Sequence, residues 1–218
     1  MRLLICAGGT GGGVYPALAV LQTLGNENVT VLWVGAERGM EAELVQRQGV
    51  PFTTIPAAGV HGVGLSALPG NIIKLAKGVL ASRRILREFQ PDVLLFTGGF
   101  VAAPMAVAGR NLPALLYTPD IEPGMALKFL ARYASTIAVT TADSRAYFSA
   151  RSRVEVTGYP TRPELTNRAQ DEARASLTLS SPLPVLLVTG GSKGARSINR
   201  AVTANLNELL KVTQVLHL

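Results

Sequence analysis

The feature that most constrains this chain is a run of glycines near its start. Residues 8–13 read Gly-Gly-Thr-Gly-Gly-Gly and follow an apolar stretch at residues 3–7. An apolar helical pattern at residues 17–24 comes next. A buried strand that ends in glycines and leads into a helix exposes backbone N–H groups and a helix N-terminus, and both bind phosphate. The opening of the chain therefore predicts an α/β fold with a nucleotide or phosphate site after the first strand.

Two common nucleotide-binding patterns do not fit this run. The dinucleotide pattern is Gly-x-Gly-x-x-Gly. When its first glycine is aligned with Gly9, the position of its third glycine is occupied by Val14. The phosphate-loop ending Gly-Lys-Ser/Thr occurs nowhere in the chain. A plain strand-to-helix turn is the alternative, but such a turn needs one or two glycines and this run has five.

Composition narrows the partners that the chain can bind. The formal net charge is +7 and the isoelectric point is near 10.0, which favours anionic partners. The basic residues gather on one predicted helix with little aromatic interleaving, so we expect no nucleic-acid binding. The single cysteine, Cys6, and two histidines offer no disulfide and no typical metal cluster, and no apolar run is long enough to span a bilayer. We expect a buried, inert thiol at Cys6 and no bound metal.

The apolar segments predict a parallel sheet of about seven strands within residues 1–160. The fourth strand, residues 92–96, runs into a second glycine turn, Gly-Gly-Phe at residues 98–100. The fifth leads into a polar loop that carries Asp120 and Glu122. Because the carboxyl ends of parallel strands meet at one edge, these turns and the first glycine run are expected to share one site. Further helical patterns cover residues 141–150 and 195–210.

A basic amphipathic helix is predicted over residues 71–89, with five cations and one acid. Such a helix can lie on anionic lipid head groups. It can equally present an ordinary solvated face while its apolar side packs on the sheet. The cations assigned to the membrane-facing interpretation are Lys74, Lys77, Arg83 and Arg84.

A second domain is predicted to begin after an interdomain segment at residues 161–184. Residues 185–218 contain a strand, a third glycine turn, a helix and a last strand at residues 212–218. Two parallel strands cannot bury both of their faces by themselves. We therefore expect this second domain to be cut short here, or completed by a partner chain.

Four motifs occur in order along the chain and carry a family resemblance. They are Gly-Gly-Thr-Gly-Gly-Gly-Val-Tyr-Pro-Ala-Leu-Ala at residues 8–19, Gly-Gly-Phe-Val-Ala-Ala-Pro at 98–104, Gly-Tyr-Pro-Thr-Arg at 158–162, and Gly-Gly-Ser-Lys-Gly-Ala-Arg-Ser-Ile-Asn at 190–199. With these motifs the chain resembles the MurG family of glycosyltransferases. The resemblance implies a GT-B type fold, in which two Rossmann-like parallel-sheet domains face each other across the active site.

The resemblance also implies an activity and its partners. The family transfers N-acetylglucosamine from UDP-GlcNAc to undecaprenyl-diphosphate-linked muramyl pentapeptide by an inverting displacement, and no cofactor or metal beyond this donor is expected. Its members are peripheral proteins on the cytoplasmic face of the plasma membrane, an anionic surface. The first domain, residues 1–160, would receive the acceptor and dock on the membrane, and the second would bind most of the donor.

Site residues follow from the same resemblance, motif by motif. Thr10, Gly11 and Gly12 would approach the sugar and phosphates of the donor, and Asp120 matches a donor-contacting position. Arg162 would contact the nucleotide side, where a guanidinium can hold a diphosphate through two hydrogen bonds. The remaining substrate-binding residues in this assignment are Gly13, Gly98, Gly99, Phe100 and Ser192.

This chain departs from the family pattern at the residue that could supply a base. The family usually has histidine where this chain has Gly13, and its His-Glu-Gln-Asn stretch is here Tyr-Thr-Pro-Asp at residues 117–120. Our hypothesis for the general base is Asp120, and less directly Glu122; the alternative is that Asp120 caps a helix. His61, in a glycine-rich loop, is more typical of a bystander.

Other functions stay open at this point. A diverged, non-catalytic module would bind acceptor or membrane without product, and a related enzyme could use another glycolipid acceptor or epimerise a sugar nucleotide. A nucleotide-dependent oxidoreductase with Glu37 on the ribose is disfavoured by the glycine spacing. We expect the 218-residue chain to transfer no sugar alone, because most of a donor domain is missing from it.

Overall fold

The computed structural model describes residues 1–8, 11–25, 28–37, 39, 41–59, 64, 68–162, 169–179, 182–191 and 194–218. The chain divides into two compact units, Met1–Pro163 and Glu164–Leu218.

The first unit is built on a seven-stranded sheet in which every pairing is parallel. The strand order is β3-β2-β1-β4-β5-β6-β7. The predicted α/β class with a parallel sheet is confirmed. The strands are β1 Arg2–Ala7, β2 Thr30–Ala36, β3 Phe52–Ile55, β4 Val93–Gly98, β5 Ala114–Thr118, β6 Thr136–Val139 and β7 Val154–Val156.

Helices follow most of these strands, as the sequence predicts. One prediction is wrong in type: the segment predicted as a helix at residues 141–150 is a shorter 3₁₀ helix, Ala142–Tyr147. Its C-cap, Phe148, has extended backbone angles, which end the helical turn. The α-helices are α1 Gly11–Leu24, α2 Glu41–Gln46, α3 Leu68–Phe89, α4 Ala102–Ala108 and α5 Met125–Leu130.

The core lies on both faces of the sheet, as expected for parallel strands covered by helices. Alternate residues of β1 point to opposite faces: Leu4 packs in one cluster with Phe96 and Leu116, and Ile5 packs in the other with Trp33. All five of these side chains are fully buried. The central strands therefore have no exposed face, which explains their continuous apolar runs.

Cys6 lies in this core with none of its surface exposed. Its Sγ is 3.6 Å from the carbonyl oxygen of Val101, within reach of a weak S–H donor. Burial, and to a smaller extent the nearby Glu41 carboxylate, raises the pKa of the thiol far above its ordinary range. The prediction of a buried thiol is confirmed.

The raised pKa of Cys6 predicts a pH dependence of stability. Above about pH 8.5 the unfolded chain loses the thiol proton while the folded chain keeps it, so the free energy of unfolding should fall by up to about 1.4 kcal/mol per pH unit. Below that pH this contribution is fully present. Urea unfolding between pH 7 and pH 10 should show the fall, and Cys6→Ala should reduce the slope by that amount. The same dependence of the unfolding free energy on pH in wild type and variant would contradict this prediction. At pH 7, the difference in unfolding free energy between the two proteins gives the packing cost of Cys6→Ala alone.

The second unit contains α6 Gln170–Ser176, β8 Val185–Val188, α7 Arg196–Ala204, α8 Leu206–Val212 and β9 Gln214–His217. The two strands pair in parallel. The single helix predicted at residues 195–210 is wrong: it divides at Asn205, whose side-chain amide donates to the carbonyl oxygen of Ala201 and ends α7. The final strand is also shorter than predicted, because α8 extends to Val212.

Candidate active site

The strand order places a crevice at the carboxyl end of β1. The chain leaves β1 for β2 and β3 on one side, and then returns to pair β4 on the other side of β1. Ligands of such sheets bind where the order reverses, above the carboxyl ends of the strands. Gly8 follows β1, and β4 ends at Gly98, so both glycine turns lie at this reversal.

The two glycine turns touch each other through their backbones. A Cβ atom placed on Gly99 would lie 2.2 Å from the carbonyl oxygen of Gly8. Gly99 also has a φ of 85°, in the left-handed region that side chains disfavour. The close approach and the backbone angle both require glycine at position 99.

Helix α1 begins earlier than the sequence predicts. It starts at Gly11, inside the glycine run, rather than at residue 17. Its first N–H groups, from Gly11 to Gly13, have no acceptor within the helix because of their place in the first turn. The helix N-terminus expected above β1 is therefore formed by the glycines themselves.

Thr97 holds the start of α1 against β4. The pairing of β1 with β4 skips this residue, since Cys6 pairs with Phe96 and Ala7 with Gly98. Such a bulge re-aims the side chain, and the Thr97 hydroxyl donates to the carbonyl oxygen of Gly13 at 2.6 Å. The same contact crowds position 13, where a Cβ atom would lie 3.3 Å from the carbonyl oxygen of Thr97. A side chain at position 13 would require Thr97 to shift.

Removing the Thr97 hydroxyl should destabilise the first unit. Thr97 is 2% exposed, and Thr97→Val keeps its shape while it deletes the donor. We expect the free energy of unfolding to fall by about 1–2 kcal/mol, measured by urea unfolding. Thr54→Val, at an exposed position of β3, is the matched control and should change stability by less than about 0.5 kcal/mol. Equal effects of the two substitutions would contradict a role for the hydrogen bond.

A cavity of about 400 Å³ lies above these turns. It brings together several residues that the sequence assigns to the site from separate segments. The described lining leaves out Gly11, Phe100, Glu122 and Arg162, and the last three of these are exposed. The lining residues are Gly12, Gly13, Thr97, Gly98, Gly99, Pro119, Asp120, Gly124, Ala126, Leu127 and Tyr159. Three residues discussed above, Thr10, His61 and Ser192, lie outside the described residues.

The two candidate bases differ in their surroundings. Asp120 is exposed and lines the cavity. Glu122 accepts a hydrogen bond from the Lys128 ammonium at 3.3 Å, in an exposed ion pair. The helix-cap interpretation of Asp120 is not supported, because Gly124 stands at the N-cap of α5 and no described side chain caps that helix. The geometry therefore favours Asp120 over Glu122.

Two tyrosines that the sequence does not assign to the site shape its far wall. The Tyr117 hydroxyl lies 3.0 Å from Thr140 Oγ1, and that oxygen donates to the carbonyl oxygen of Pro119 at 3.0 Å. Tyr117 contacts Tyr159 edge to face, with ring centroids 6.3 Å apart. Burial raises the pKa of Tyr117, which keeps its hydroxyl protonated. This network fixes the loop that carries Asp120, and Tyr159 faces the cavity beside it.

A buried carboxylate, also unassigned by the sequence, supports the glycine run from below. Glu41 is fully buried, and its Oε1 accepts the backbone N–H of Ala36 at 2.7 Å. A Cβ atom on Gly8 would lie 2.3 Å from the same oxygen, so Gly8 rests directly on this carboxylate. Across the described ranges, no group of three or more His, Cys, Asp or Glu side chains is placed to hold a metal ion.

Helix α3 presents a mixed apolar and basic stripe. Ile73, Lys77, Leu80 and Arg84 follow one another at helical spacing, and all four are exposed. Arg84 also pairs with Glu88 at 2.7 Å. The two other predicted cations, Lys74 and Arg83, are also exposed. Lys74 lies next to Ile73, and Arg83 lines a separate cavity near Gly109 and Leu112. Within the described part of the chain, no helix has both the length and the apolarity of a membrane span.

Residues 3–139, which contain six strands of the sheet and most of the described lining of the cavity, match the model of the glycosyltransferase family 28 N-terminal domain. This fold and site are therefore those of the N-terminal domain of a glycosyltransferase. The chain therefore belongs to glycosyltransferase family 28 and, within it, to the MurG family.

Curated relatives and solved structures agree on this family. The chain is 41% identical over 209 residues to a UDP-N-acetylglucosamine--N-acetylmuramyl-(pentapeptide) pyrophosphoryl-undecaprenol N-acetylglucosamine transferase of Desulforudis audaxviator, covering 93% of this chain and 55% of the relative. A protein of the same name from Roseiflexus sp. is 38% identical over 258 residues, and the match covers 100% of this chain and 59% of that protein. The chain thus spans less than two thirds of the length of these relatives.

Among solved structures, MurG of Acinetobacter baumannii matches with a TM-score of 0.72 and 28% identity, covering 99% of this chain and 59% of that one. A UDP-GlcNAc 2-epimerase from Neisseria meningitidis, bound to UDP-GlcNAc, matches with a TM-score of 0.64 and 13% identity. The match covers 100% of this chain and 65% of that one. At that identity the second likeness shows the fold alone.

Proposed function

We propose that this chain forms the acceptor-side part of an inverting transferase that moves N-acetylglucosamine from UDP-GlcNAc to undecaprenyl-diphosphate-linked muramyl pentapeptide. The observation that carries the proposal is the cavity at the strand reversal, in which two glycine turns and the Asp120 carboxylate meet. The names of the MurG relatives supply the donor and the acceptor. The sequence spans 55% and 59% of these two relatives, and the remaining part of the donor site would lie in the part of their length that it does not span.

In the proposed reaction, an acceptor hydroxyl attacks the anomeric carbon of the donor and UDP departs. Asp120 takes the proton from that hydroxyl as general base, since a base must lie within hydrogen-bond reach of the proton that it removes. The N–H groups of Gly11 to Gly13 offer positive potential to phosphate oxygens. Arg162 adds a permanent cation on the nucleotide side. We propose that no metal or other cofactor takes part.

We further propose that helix α3 docks this domain on the cytoplasmic face of the plasma membrane. Its exposed stripe alternates apolar side chains, Ile73 and Leu80, with Lys77 and Arg84. Apolar groups enter the boundary of a bilayer while cations pair with anionic head groups, which is the typical arrangement of a peripheral helix. Docking there would bring the cavity close to a lipid-linked acceptor.

The test is transfer of labelled N-acetylglucosamine from UDP-GlcNAc to the lipid-linked acceptor. The protein should be assayed at its full natural length, with the 218-residue chain as control. Labelled disaccharide product from the longer protein supports the proposal, and absence of turnover by the 218-residue chain is expected. A folded, full-length protein that binds UDP-GlcNAc but makes no product with this acceptor would refute it.

A further inference from the structure

A second cavity, distinct in chemistry from the first, opens between α3, α4 and α5. Its volume is about 340 Å³. None of the eight lining residues that the structure describes has a polar or charged side chain, so these residues offer a ligand no side-chain hydrogen bond. The lining residues are Ala58, Gly59, Leu75, Phe100, Ala103, Met125, Ala126 and Phe129.

This apolar cavity adjoins the polar cavity at the strand reversal. Ala126 lines both of them. The second glycine turn also bridges them, because Gly99 lines the polar cavity and the next residue, Phe100, lines the apolar one. A single ligand with a polar head and an apolar tail could therefore occupy both.

The apolar surface continues along α3 to the outside of the domain. A further cavity of about 260 Å³ shares Leu75, Ala103 and Phe129 with the apolar cavity and reaches Ile72 and Val79. Ile72 is 54% exposed. We call these two adjoining cavities the apolar channel; they lie in succession between the polar cavity and an exposed apolar side chain of α3.

We propose that the apolar channel binds the first isoprenoid units of a prenyl diphosphate acceptor, with the polar head of the acceptor directed toward the polar cavity. This inference rests on the proposed function, which gives the acceptor an undecaprenyl chain. Prenyl groups have no hydrogen-bonding atoms, and the side chains of the described lining offer none either. An apolar cavity of about 150 Å³ can hold benzene, so the channel has room for a longer hydrocarbon segment.

The consequence concerns how the acceptor is positioned. If only the bilayer held the prenyl chain, the acceptor head would have the mobility of a lipid. A protein site for the first units fixes the end of the chain nearest to the diphosphate. The domain then orients the acceptor through its lipid as well as through its sugar.

The 218-residue chain can be tested directly by NMR with ¹³C-methyl methionine. Met125 lines the channel and is 62% exposed, whereas Met105 is fully buried elsewhere in the core. Farnesyl diphosphate, a short soluble prenyl diphosphate, should shift the Met125 methyl signal and leave Met105 unchanged. Inorganic pyrophosphate should leave Met125 unchanged. We expect farnesyl diphosphate to bind about tenfold or more tightly than pyrophosphate, because its chain leaves water.

Two variants and a matched control locate the binding. Ala103→Phe fills the channel and Leu75→Asn makes it polar; each should weaken farnesyl diphosphate binding at least about tenfold and leave pyrophosphate binding unchanged. Leu80→Asn changes a leucine of the same helix that is 63% exposed and outside the channel lining. It should leave the binding of soluble farnesyl diphosphate unchanged, since this measurement contains no membrane for the docking stripe to contact. Ala103→Phe and Leu75→Asn act by opposite changes, so a folding defect in one leaves the other informative.

Several outcomes would overturn the inference. They are equal affinity for farnesyl diphosphate and pyrophosphate, an unmoved Met125 signal at saturation, or equal weakening by Leu75→Asn and Leu80→Asn, which would indicate general adsorption to α3. Sugar transfer is not needed for this readout. Prenyl binding without any transferase activity would count against the proposed function alone, and transfer without a Met125 shift would count against the channel alone.

Discussion

Replacing Gly99 with alanine is expected to lower the free energy of unfolding of the first unit by at least about 3 kcal/mol. A φ of 85° costs a non-glycine residue about 1–2 kcal/mol. The new methyl group would also lie 2.2 Å from the carbonyl oxygen of Gly8, a backbone atom at the end of a central strand that cannot easily move aside. The two costs add at one position. Urea or thermal unfolding monitored by circular dichroism measures the total.

Two other glycines separate these costs. Gly158 has a φ of 76° with nothing within 4 Å of a Cβ atom, so Gly158→Ala should show only the backbone cost of about 1–2 kcal/mol. Gly70 lies in helix α3 with similar open space, and Gly70→Ala should stabilise the protein by up to about 1 kcal/mol. A Gly99→Ala variant no less stable than Gly158→Ala would show that the two glycine turns do not need their close contact.

Asp120→Asn is expected to reduce sugar transfer roughly a hundredfold to ten-thousandfold, the usual contribution of a general base. The amide keeps the size of the carboxylate and cannot accept the proton of the acceptor hydroxyl. Since Asp120 is exposed at the cavity, the substitution should leave stability nearly unchanged. Steady-state transfer by the full-length protein, with binding of UDP-GlcNAc measured separately, distinguishes lost chemistry from lost binding.

Glu122→Gln is the matched control for this experiment. It makes the same chemical change two residues away, on a side chain that pairs with Lys128 outside the cavity lining. An exposed ion pair contributes at most about 1 kcal/mol, so both stability and transfer should stay close to wild type. A rate for Asp120→Asn within a few-fold of wild type would rule out the base hypothesis. A large loss for Glu122→Gln instead would reassign the base.

The centre of the sheet could be predicted from the sequence because its central strands are buried on both faces. The strands predicted at residues 3–7 and 92–96 agree to within two residues with β1, Arg2–Ala7, and β4, Val93–Gly98. The parallel arrangement then places the turns after β1, β4 and β5 at one edge, and the structure has Gly12, Gly98 and Asp120 around one cavity. What the sequence predicts well is the location of the cavity in the fold.

Features that depend on tertiary contacts could not be predicted in this way. Glycine has low helix propensity, so residues 11–13 indicate a loop, yet Thr97 and the neighbouring turn hold them as the start of α1. The bulge at Thr97 has no local sequence signal. Glu41 lies in a short segment that resembles a surface helix, and its burial depends on how β2 meets the Gly8 turn. In the sequence, Tyr159 lies in a segment without a helix or strand pattern, and nothing there indicates that its side chain faces a cavity.

Pro16 lies inside α1 and is buried, and its consequence concerns the mechanics of ligand binding. Proline has no N–H, so the carbonyl oxygen of Gly12, four residues earlier, loses its helical hydrogen bond. The first turn is thus joined to the rest of α1 by one hydrogen bond fewer than in an unbroken helix, while the Thr97 hydroxyl holds its third glycine, Gly13, to β4. The N–H groups that would meet a phosphate therefore take their position from the edge of the sheet as well as from the body of the helix.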